Sequence, residues 1–223
     1  MIINLTPRLS AAASLIKGGG IVADIGTDHG YLPIYLIQSG KIERAIAADI
    51  GKKPLENAAK SVAQYELTDK ISLRLSDGLN SFSENEVNEI VFAGMGGTLI
   101  AEKLGEIPWI KNKKLHFVFQ PQSRAEDLRE FLYSNGFEIG EELATHEGNR
   151  YYIAFDAFYT GEIRDFTAAD CFLGKLQKTE DAKIHIGKQI NRLQKRYDAL
   201  VQMGKGDVEL FHTIQKLKDF ING

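Results

Sequence analysis

The sequence predicts a doubly wound α/β fold, in which a seven-stranded, mostly parallel sheet is followed by a small helical hairpin. Short apolar runs, typical of buried strands, alternate with helical patterns from residue 21 onwards. Two final strand-like segments are separated by only a short turn, and after Phe166 the apolar spacing alternates between three and four residues. We therefore expect a parallel sheet that is closed by an antiparallel pair and followed by two helices.

Each element has its own signal along the chain. Thr6-Pro7 predicts a helix start, with a hydroxyl at the cap and proline at the first helical position, and the glycines at 18–20 end that helix. Five apolar runs predict parallel strands, and helical spacing predicts the helices between them. The strands are expected at 21–25, 45–50, 71–75, 90–93 and 115–119, the helices at 32–38, 54–65, 98–104 and 126–134, and the closing strands at 137–143 and 151–158.

Charge divides the chain into two parts. Residues 164–223 contain 11 Lys and Arg against 8 Asp and Glu, a net charge of +3, whereas residues 1–163 contain 16 against 22, a net charge of −6. We expect a Rossmann-like domain at 1–163 and a helical domain at 164–223. Apolar seams at 186–200 and 210–221 predict two antiparallel helices in the second part.

Composition disfavours several classes of protein. The single cysteine, Cys171, permits no internal disulfide, the N-terminus lacks a signal-peptide pattern, and no apolar run approaches the roughly 20 residues of a membrane span. The histidines show no metal-ligand spacing. We expect a cytoplasmic protein without a metal or a membrane contact, and a monomer, with a dimer through the helical seams left open.

The end of the first strand is the candidate cofactor site. It reads Asp24-Ile25-Gly26-Thr27-Asp28-His29-Gly30 and precedes a helix, which is where nucleotide-like cofactors lie in doubly wound sheets. Asp28 stands where a dinucleotide site has a glycine facing the pyrophosphate, and its carboxylate would repel that group. S-adenosylmethionine has a sulfonium and an ammonium group and no phosphate, so acids at 24 and 28 suit this ligand.

Three more strand ends complete the expected site. Asp49, followed by Ile50, stands where an acid binds a ribose diol. The third strand ends in Ser76-Asp77-Gly78-Leu79, with a carboxylate for the adenine amino group and Leu79 beside the ring. The fourth ends in Ala93-Gly94-Met95-Gly96-Gly97. This ordered set favours a methyltransferase. A nicotinamide-dependent oxidoreductase, disfavoured by Asp28 and by the lack of a Tyr-x-x-x-Lys pair, and a non-catalytic binding module on the same fold are the alternatives.

These segments resemble one known family. The run Val22-Ala23-Asp24-Ile25-Gly26-Thr27-Asp28-His29-Gly30-Tyr31-Leu32-Pro33 is similar to the cofactor motif of the bacterial tRNA (adenine(22)-N1)-methyltransferases, and Ala48-Asp49-Ile50, the strand ends at 76–79 and 93–97 and Gln120-Pro121 match in order. The resemblance covers essentially the whole chain. It implies methylation of N1 of an adenine in the D-loop of tRNA, with methylation of another RNA or of a small molecule as the alternative.

The residues are compatible with this reaction. Exocyclic-amine methyltransferases often have a polar residue before two prolines at the fourth strand end, whereas residues 94–97 offer no polar side chain. C5 methylation of pyrimidines usually needs a cysteine, and Cys171 lies outside the sheet. N1 of adenine can attack the methyl group directly, so positioning suffices. The candidate catalytic residues are Asp28, His29 and Tyr31, for which turn-forming and packing roles are the alternatives.

Substrate contacts are expected in two places. The target base must leave its stack, which costs a few kcal/mol, and the candidates to receive it are Gly96, Gly97, Gln120 and Tyr152. On the long helix, Lys188, Arg192 and Lys195, here called the basic stripe, fall at about 200°, 240° and 180° from Ile186 at 100° per residue. This stripe can track phosphates, or it can be an ordinary solvated face.

Overall fold

A seven-stranded sheet forms the centre of the molecule. The computed structural model describes residues 3–223, and the strand order is β3-β2-β1-β4-β5-β7-β6. Strands β1 to β5 are parallel, and β7 is antiparallel to both β5 and β6. The predicted fold class is thus confirmed. The strands are β1 (Ile21–Ile25), β2 (Arg44–Asp49), β3 (Ile71–Leu75), β4 (Glu89–Ala93), β5 (His116–Gln120), β6 (Phe137–Glu147) and β7 (Arg150–Tyr159).

Helices cover both faces of this sheet. Helices α1 to α3 enclose one apolar core cluster, and α4 and α5 lie over a second cluster on the other face. Pro7 occupies the first turn of α1 as predicted, but the Thr6 side chain makes no capping hydrogen bond. The helices are α1 (Pro7–Leu15), α2 (Tyr31–Gln38), α3 (Lys52–Gln64), α4 (Gly97–Gly105) and α5 (Ala125–Ser134).

The C-terminal part forms the predicted helical hairpin. After the short helix α6 (Ala168–Leu173), helix α7 (Glu180–Gln202) packs against α8 (Val208–Asn222). The apolar residues of α6 to α8 belong to the same buried cluster as those of β5, α5 and β7. The hairpin therefore shares one continuous core with the sheet. Among the described helices, none combines the length and apolarity needed to cross a membrane.

An ion pair stands at the junction between the sheet and the helical part. Arg129 of α5 and Glu142 of β6 are hydrogen-bonded, and their side chains are 1% and 0% exposed. Arg129 also donates to the carbonyl of Cys171 at 2.7 Å, and Glu142 accepts from the backbone NH of Lys175 at 2.7 Å. The pair thus satisfies backbone groups around the end of α6, where helix carbonyls have no partners within the helix.

A second buried polar cluster lies at the opposite end of the strands. Its centre is His116, whose Nδ1 lies 2.7 Å from Glu89 Oε2 and whose Nε2 lies 2.7 Å from Asp156 Oδ2. Glu89 also accepts from the backbone NH groups of Lys17 and Gly18. Burial alone disfavours the imidazolium, but the hydrogen bonds to Asp156 and Glu89 outweigh it and raise the pKa of His116.

Candidate functional site

The expected site lies at the carboxyl ends of β3, β2, β1 and β4. These four strands are neighbours in that order, and their registers bring their ends to one rim. The strand order reverses between β1 and β4, where ligands bind in open α/β sheets. Asp24, Asp49, Asp77 and Gly94 therefore lie along one rim, as the sequence predicted.

The loop between β1 and α2 makes a tight turn into the helix. Gly26 and Gly30 have φ angles of 81° and 67°, in the left-handed region that glycine adopts without strain. The backbone NH groups of Gly26 and Thr27 donate to the carbonyl of Ala48 at 2.8 and 3.0 Å, and the NH of Gly30 donates to Thr27 Oγ1 at 3.2 Å. The loop is thereby fixed against β2, with its outer side facing the rim.

Asp24 is the buried acid of this site. Asp24 is only 5% exposed. Burial raises the pKa of Asp24 to about 6; the Thr27 side-chain hydrogen bond opposes this rise, and the charge of Asp49 adds to it. The protein alone thus stabilises the ionised form of Asp24 poorly. A cationic ligand beside it would stabilise that form, because opposite charge favours the carboxylate.

The candidate catalytic residues lie at the outer side of the loop. The side chains of Asp28 and His29 are 67% and 42% exposed, and Asp28 Oδ2 lies 3.2 Å from His29 Nε2. The His29 ring stacks on Tyr31, with centroids 5.0 Å apart and planes 14° apart. The three side chains form one group at the mouth of the site that is open to solvent.

The ends of β2 and β3 differ in accessibility. Asp49 Oδ1 accepts from the NH of Gly51 at 2.6 Å, and Ile50 is 69% exposed, so both flank open space. Asp77 Oδ2 accepts from Lys103 Nζ at 2.8 Å, a partner that the sequence did not suggest. The side chain of Leu79 is 1% exposed and packs in the core.

Two loops after β4 and β5, here called the paired loops (residues 94–97 and 120–124), are hydrogen-bonded to each other. The NH of Gly94 donates to Gln120 O at 3.0 Å, that of Gln122 to Met95 O at 2.9 Å, and that of Gly97 to Ser123 O at 2.7 Å. A Cβ on Gly97 would lie 2.2 Å from the Arg124 carbonyl oxygen. Gly97 is buried, and only glycine fits at this close contact between the two loops.

A cavity of about 400 Å³ lies between α1, the β1–α2 loop and the paired loops. It brings together most of the cofactor residues expected at the ends of β1 and β4, and Arg8 and Leu9 of α1, with Thr6 just before the helix, line one side of it. The lining residues are Thr6, Arg8, Leu9, Asp24, Gly26, Thr27, Asp28, His29, Gly30, Tyr31, Leu32, Ala93, Gly94 and Gln122. Met95 is beside it, with Sδ 2.9 Å from the position of a Cβ on Gly26.

Two further substrate candidates do not line this cavity. Gln120 is 0% exposed, and its Oε1 accepts from Arg8 Nη1 at 3.1 Å, so this residue lies behind the cavity wall. Tyr152 and Tyr151 both border a cleft of about 110 Å³ between the loop after β5 and α7. Side chains alternate between the two faces of a strand. Tyr152 therefore lies on the same face as Ala154, which packs with α1, and Tyr151 on the same face as Ile153, which packs with α7.

The basic stripe faces the sheet domain over part of its length. Lys188 Nζ donates to the carbonyl of Asn149 at 2.5 Å, and Arg192 Nη2 donates to Glu126 Oε1 at 2.6 Å. Lys195 is exposed. The helical wheel placed all three residues opposite the seam, but it could not show that the start of α5 and the β6–β7 turn lie against that side of α7.

Comparison with known proteins agrees with this geometry. Residues 5–155 match the model of the family described as a methyltransferase domain. The chain is 31% identical to the tRNA (adenine(22)-N(1))-methyltransferase of Bacillus subtilis over 97% of this chain and 92% of that protein. The chain belongs to this methyltransferase family. The strand-end motifs and Gln120-Pro121, on which the resemblance was based, therefore lie in a chain of this same family.

Solved structures extend the family likeness to the whole fold. A putative tRNA (m1A22) methyltransferase of Streptococcus pneumoniae in complex with S-adenosyl-L-methionine has a TM-score of 0.81 and 33% identity, covering 99% of this chain and 100% of that one. An M. capricolum relative in complex with S-adenosyl-homocysteine has a TM-score of 0.81 and 27% identity, covering 98% of each chain. The helical hairpin is thus part of the common fold.

Sequence reasoning missed the contribution of α1 to the cavity. None of the strand-end motifs includes Arg8 or Gln122. No spacing signal connects Arg8 to Gln120, because 112 residues separate them. Within residues 3–223, no group of three His, Cys, Asp or Glu side chains is arranged to hold a metal ion.

Proposed function

We propose that this chain methylates N1 of adenine 22 in tRNA, with S-adenosylmethionine as methyl donor. The observation that carries the proposal is the cavity at the β1/β4 switch point, with the buried Asp24 in its wall. The named activity of the B. subtilis relative supports the choice of substrate.

The residues present fit this methyl donor. Asp24 and Asp28 offer negative charge to its two cationic groups, and the open side of Asp49 suits a ribose diol. Gly26 and Gly94, with φ of 81° and 89°, let backbone come close to a ligand. When bound, the donor supplies an electrophilic methyl group. Asp77 can serve the adenine amino group through the oxygen that Lys103 does not hold.

The contribution of the chain to the reaction is positioning and charge. N1 of adenine has its lone pair in the ring plane, so no covalent intermediate is required, and alignment with the methyl carbon lowers the barrier. Methylation leaves positive charge on the purine. Asp28 lies at the cavity mouth beside His29. We assign it to stabilise that charge and to accept the proton that the N6 amino group loses. Tyr31 and His29 form the stacked surface against which the base is placed.

The two parts of the chain have different roles in this proposal. Residues 1–163 hold the cofactor and the reacting base, and residues 164–223 hold the body of the tRNA through the basic stripe. The protein acts as a monomer in the cytoplasm, where its substrate is. The shared core means that a chain truncated near Thr160 would lose packing for β7 and α5, so whole-chain variants are the better test.

Incubation with unmodified tRNA and labelled S-adenosylmethionine tests the proposal directly. The expected product after nuclease digestion is 1-methyladenosine, located at position 22 by mass spectrometry. Transcripts with guanosine at position 22 are the matched control and should remain unlabelled. Label in another nucleoside, or in the control transcript, would contradict the assigned reaction.

An Asp49→Ala variant tests the cofactor site separately. Loss of hydrogen bonds to a charged acceptor should weaken S-adenosylmethionine by roughly 1.5–3 kcal/mol. Calorimetric titration measures this, with circular dichroism as the control because Asp49 also binds the Gly51 backbone. Unchanged affinity in a folded variant would remove Asp49 from the site.

A further inference from the structure

Two hydrogen-bond donors converge over Gly94 at the α1 end of the cavity. A Cβ placed on Gly94 would lie 3.4 Å from Arg8 Nη1 and 3.5 Å from Gln122 Nε2. Gly94 has a φ of 89°, which side-chain-bearing residues rarely adopt, so this space stays open. An acceptor oxygen of a ligand can therefore reach both donors above the glycine backbone.

The Arg8 side chain is held in this position by its neighbours. Gln120 Oε1 accepts from Nη1 at 3.1 Å, and Gln120 is fully buried, so it is a fixed acceptor. Glu147, at the end of β6, accepts from the Arg8 backbone NH at 3.0 Å and lies 3.7 Å from Nε. A guanidinium has five N–H donors, so donors remain for a ligand.

The charges around the cavity call for an anionic group at this end. The amino-acid end of S-adenosylmethionine has an ammonium group, which Asp24 and Asp28 suit, and a carboxylate, which they repel. Among the described residues that line the cavity, Arg8 is the permanent cation. His29, the other basic residue there, lies 3.2 Å from Asp28 and stacks on Tyr31.

We propose that Arg8, assisted by Gln122, binds the α-carboxylate of the methyl donor, so that α1 forms part of the cofactor site. This inference rests on the proposed use of S-adenosylmethionine. Arg–carboxylate pairs are charge-assisted and can be bidentate, which gives them both strength and orientation. Arg8 therefore selects ligands that retain the intact amino-acid end, and fixes that end relative to the paired loops.

Calorimetric binding of two ligands tests this role without relying on activity. S-adenosylmethionine and its decarboxylated analogue share the sulfonium and the amine and differ in the carboxylate. Arg8→Met should weaken S-adenosylmethionine roughly 10- to 100-fold, the scale of a charged hydrogen bond, and should change affinity for the analogue less than threefold. Arg44→Met, which removes the same charge from an exposed residue at the other end of the strands, should change neither affinity.

A second pair of variants covers the case in which Arg8→Met perturbs folding. Arg8→Lys keeps the charge but not the fork, so it should retain part of the preference for the carboxylated ligand. Gln122→Ala removes an exposed donor outside the Arg8–Gln120–Glu147 contacts and should reduce the same preference by a smaller factor.

The outcomes separate this inference from the proposed function. Equal weakening of both ligands by Arg8→Met, or unchanged preference in Arg8→Met and Gln122→Ala, overturns the carboxylate assignment alone. A parent protein that binds neither ligand overturns the proposed function, and this inference with it. Loss of preference confined to the Arg8 and Gln122 variants supports the assignment.

Discussion

Removing the guanidinium of Arg129 should strongly destabilise the folded protein. Arg129→Met leaves the Glu142 carboxylate, whose side chain is 0% exposed, without its cationic partner. It also leaves the Cys171 carbonyl without the donor that lies 2.7 Å away. Breaking a buried ion pair from one side costs about 3–5 kcal/mol, a large part of the roughly 5–15 kcal/mol that stabilises a typical domain.

Urea unfolding followed by circular dichroism measures this loss. With a denaturant slope near 3 kcal/mol per molar, the midpoint should fall by roughly 1–2 M. Glu142→Met should lower the free energy of unfolding by a similar amount, because it leaves the buried guanidinium of Arg129 without a carboxylate partner. The double variant Arg129→Met/Glu142→Met should lose no more than either single variant, since no buried charge is left unpaired.

The measurement can refute this reasoning in two ways. A loss below about 1 kcal/mol in Arg129→Met would mean that water reaches Glu142. Strict additivity of the two single variants would show that the residues do not act as a pair. Because the hairpin and the sheet share one core, we also expect a single unfolding transition; separate transitions would show two independent domains.

Three further outcomes are expected. S-adenosylmethionine affinity should fall as pH drops through about 6, where Asp24 takes up a proton, and pH-independent affinity in calorimetry would exclude Asp24 from charge recognition. The Glu89–His116–Asp156 cluster should stabilise the fold most between about pH 4.5 and 6.5. The raised His116 pKa adds stability that is lost as pH rises through it, and the lowered pKa values of the two carboxyl groups add stability that is lost as pH falls. Thermal melts of His116→Gln should lack this maximum, and an unaltered pH profile would count against the cluster as its cause. Changing the basic stripe to Ala should weaken tRNA binding and make its log-affinity slope against log salt shallower by up to roughly two to three units, with parallel slopes indicating a solvated face.

The elements and their order could be predicted because each depends on a local pattern. Apolar runs and the glycines at 26 and 30 are readable from neighbouring residues, and the strand ends of a parallel sheet necessarily meet at one rim. The arrangement that completes the cavity depends on contacts distant in sequence, such as Arg8 with Gln120. Leu79 illustrates another limit, since a strand-end motif fixes where a residue lies and leaves open whether its side chain points to the rim or to the core.

The orientation of the long helix shows the same limit. Its seam was correctly read from Ile186, Ile190 and Leu193, which are all buried. The wheel could divide the helix into two sides, but what covers the second side depends on the tertiary path of the chain. Lys188 and Arg192 are exposed, as expected, but they also contact Asn149 and Glu126, which the wheel could not show.

The paired loops limit how the rim can change over evolutionary time. With backbone hydrogen bonds in register and the Arg124 oxygen 2.2 Å from any Cβ at Gly97, neither loop can lengthen or shift by itself. A relative with a new substrate must therefore keep this edge and vary its surroundings, such as the β6–β7 turn or the exposed group at Asp28. Differences in specificity should accumulate around this fixed frame.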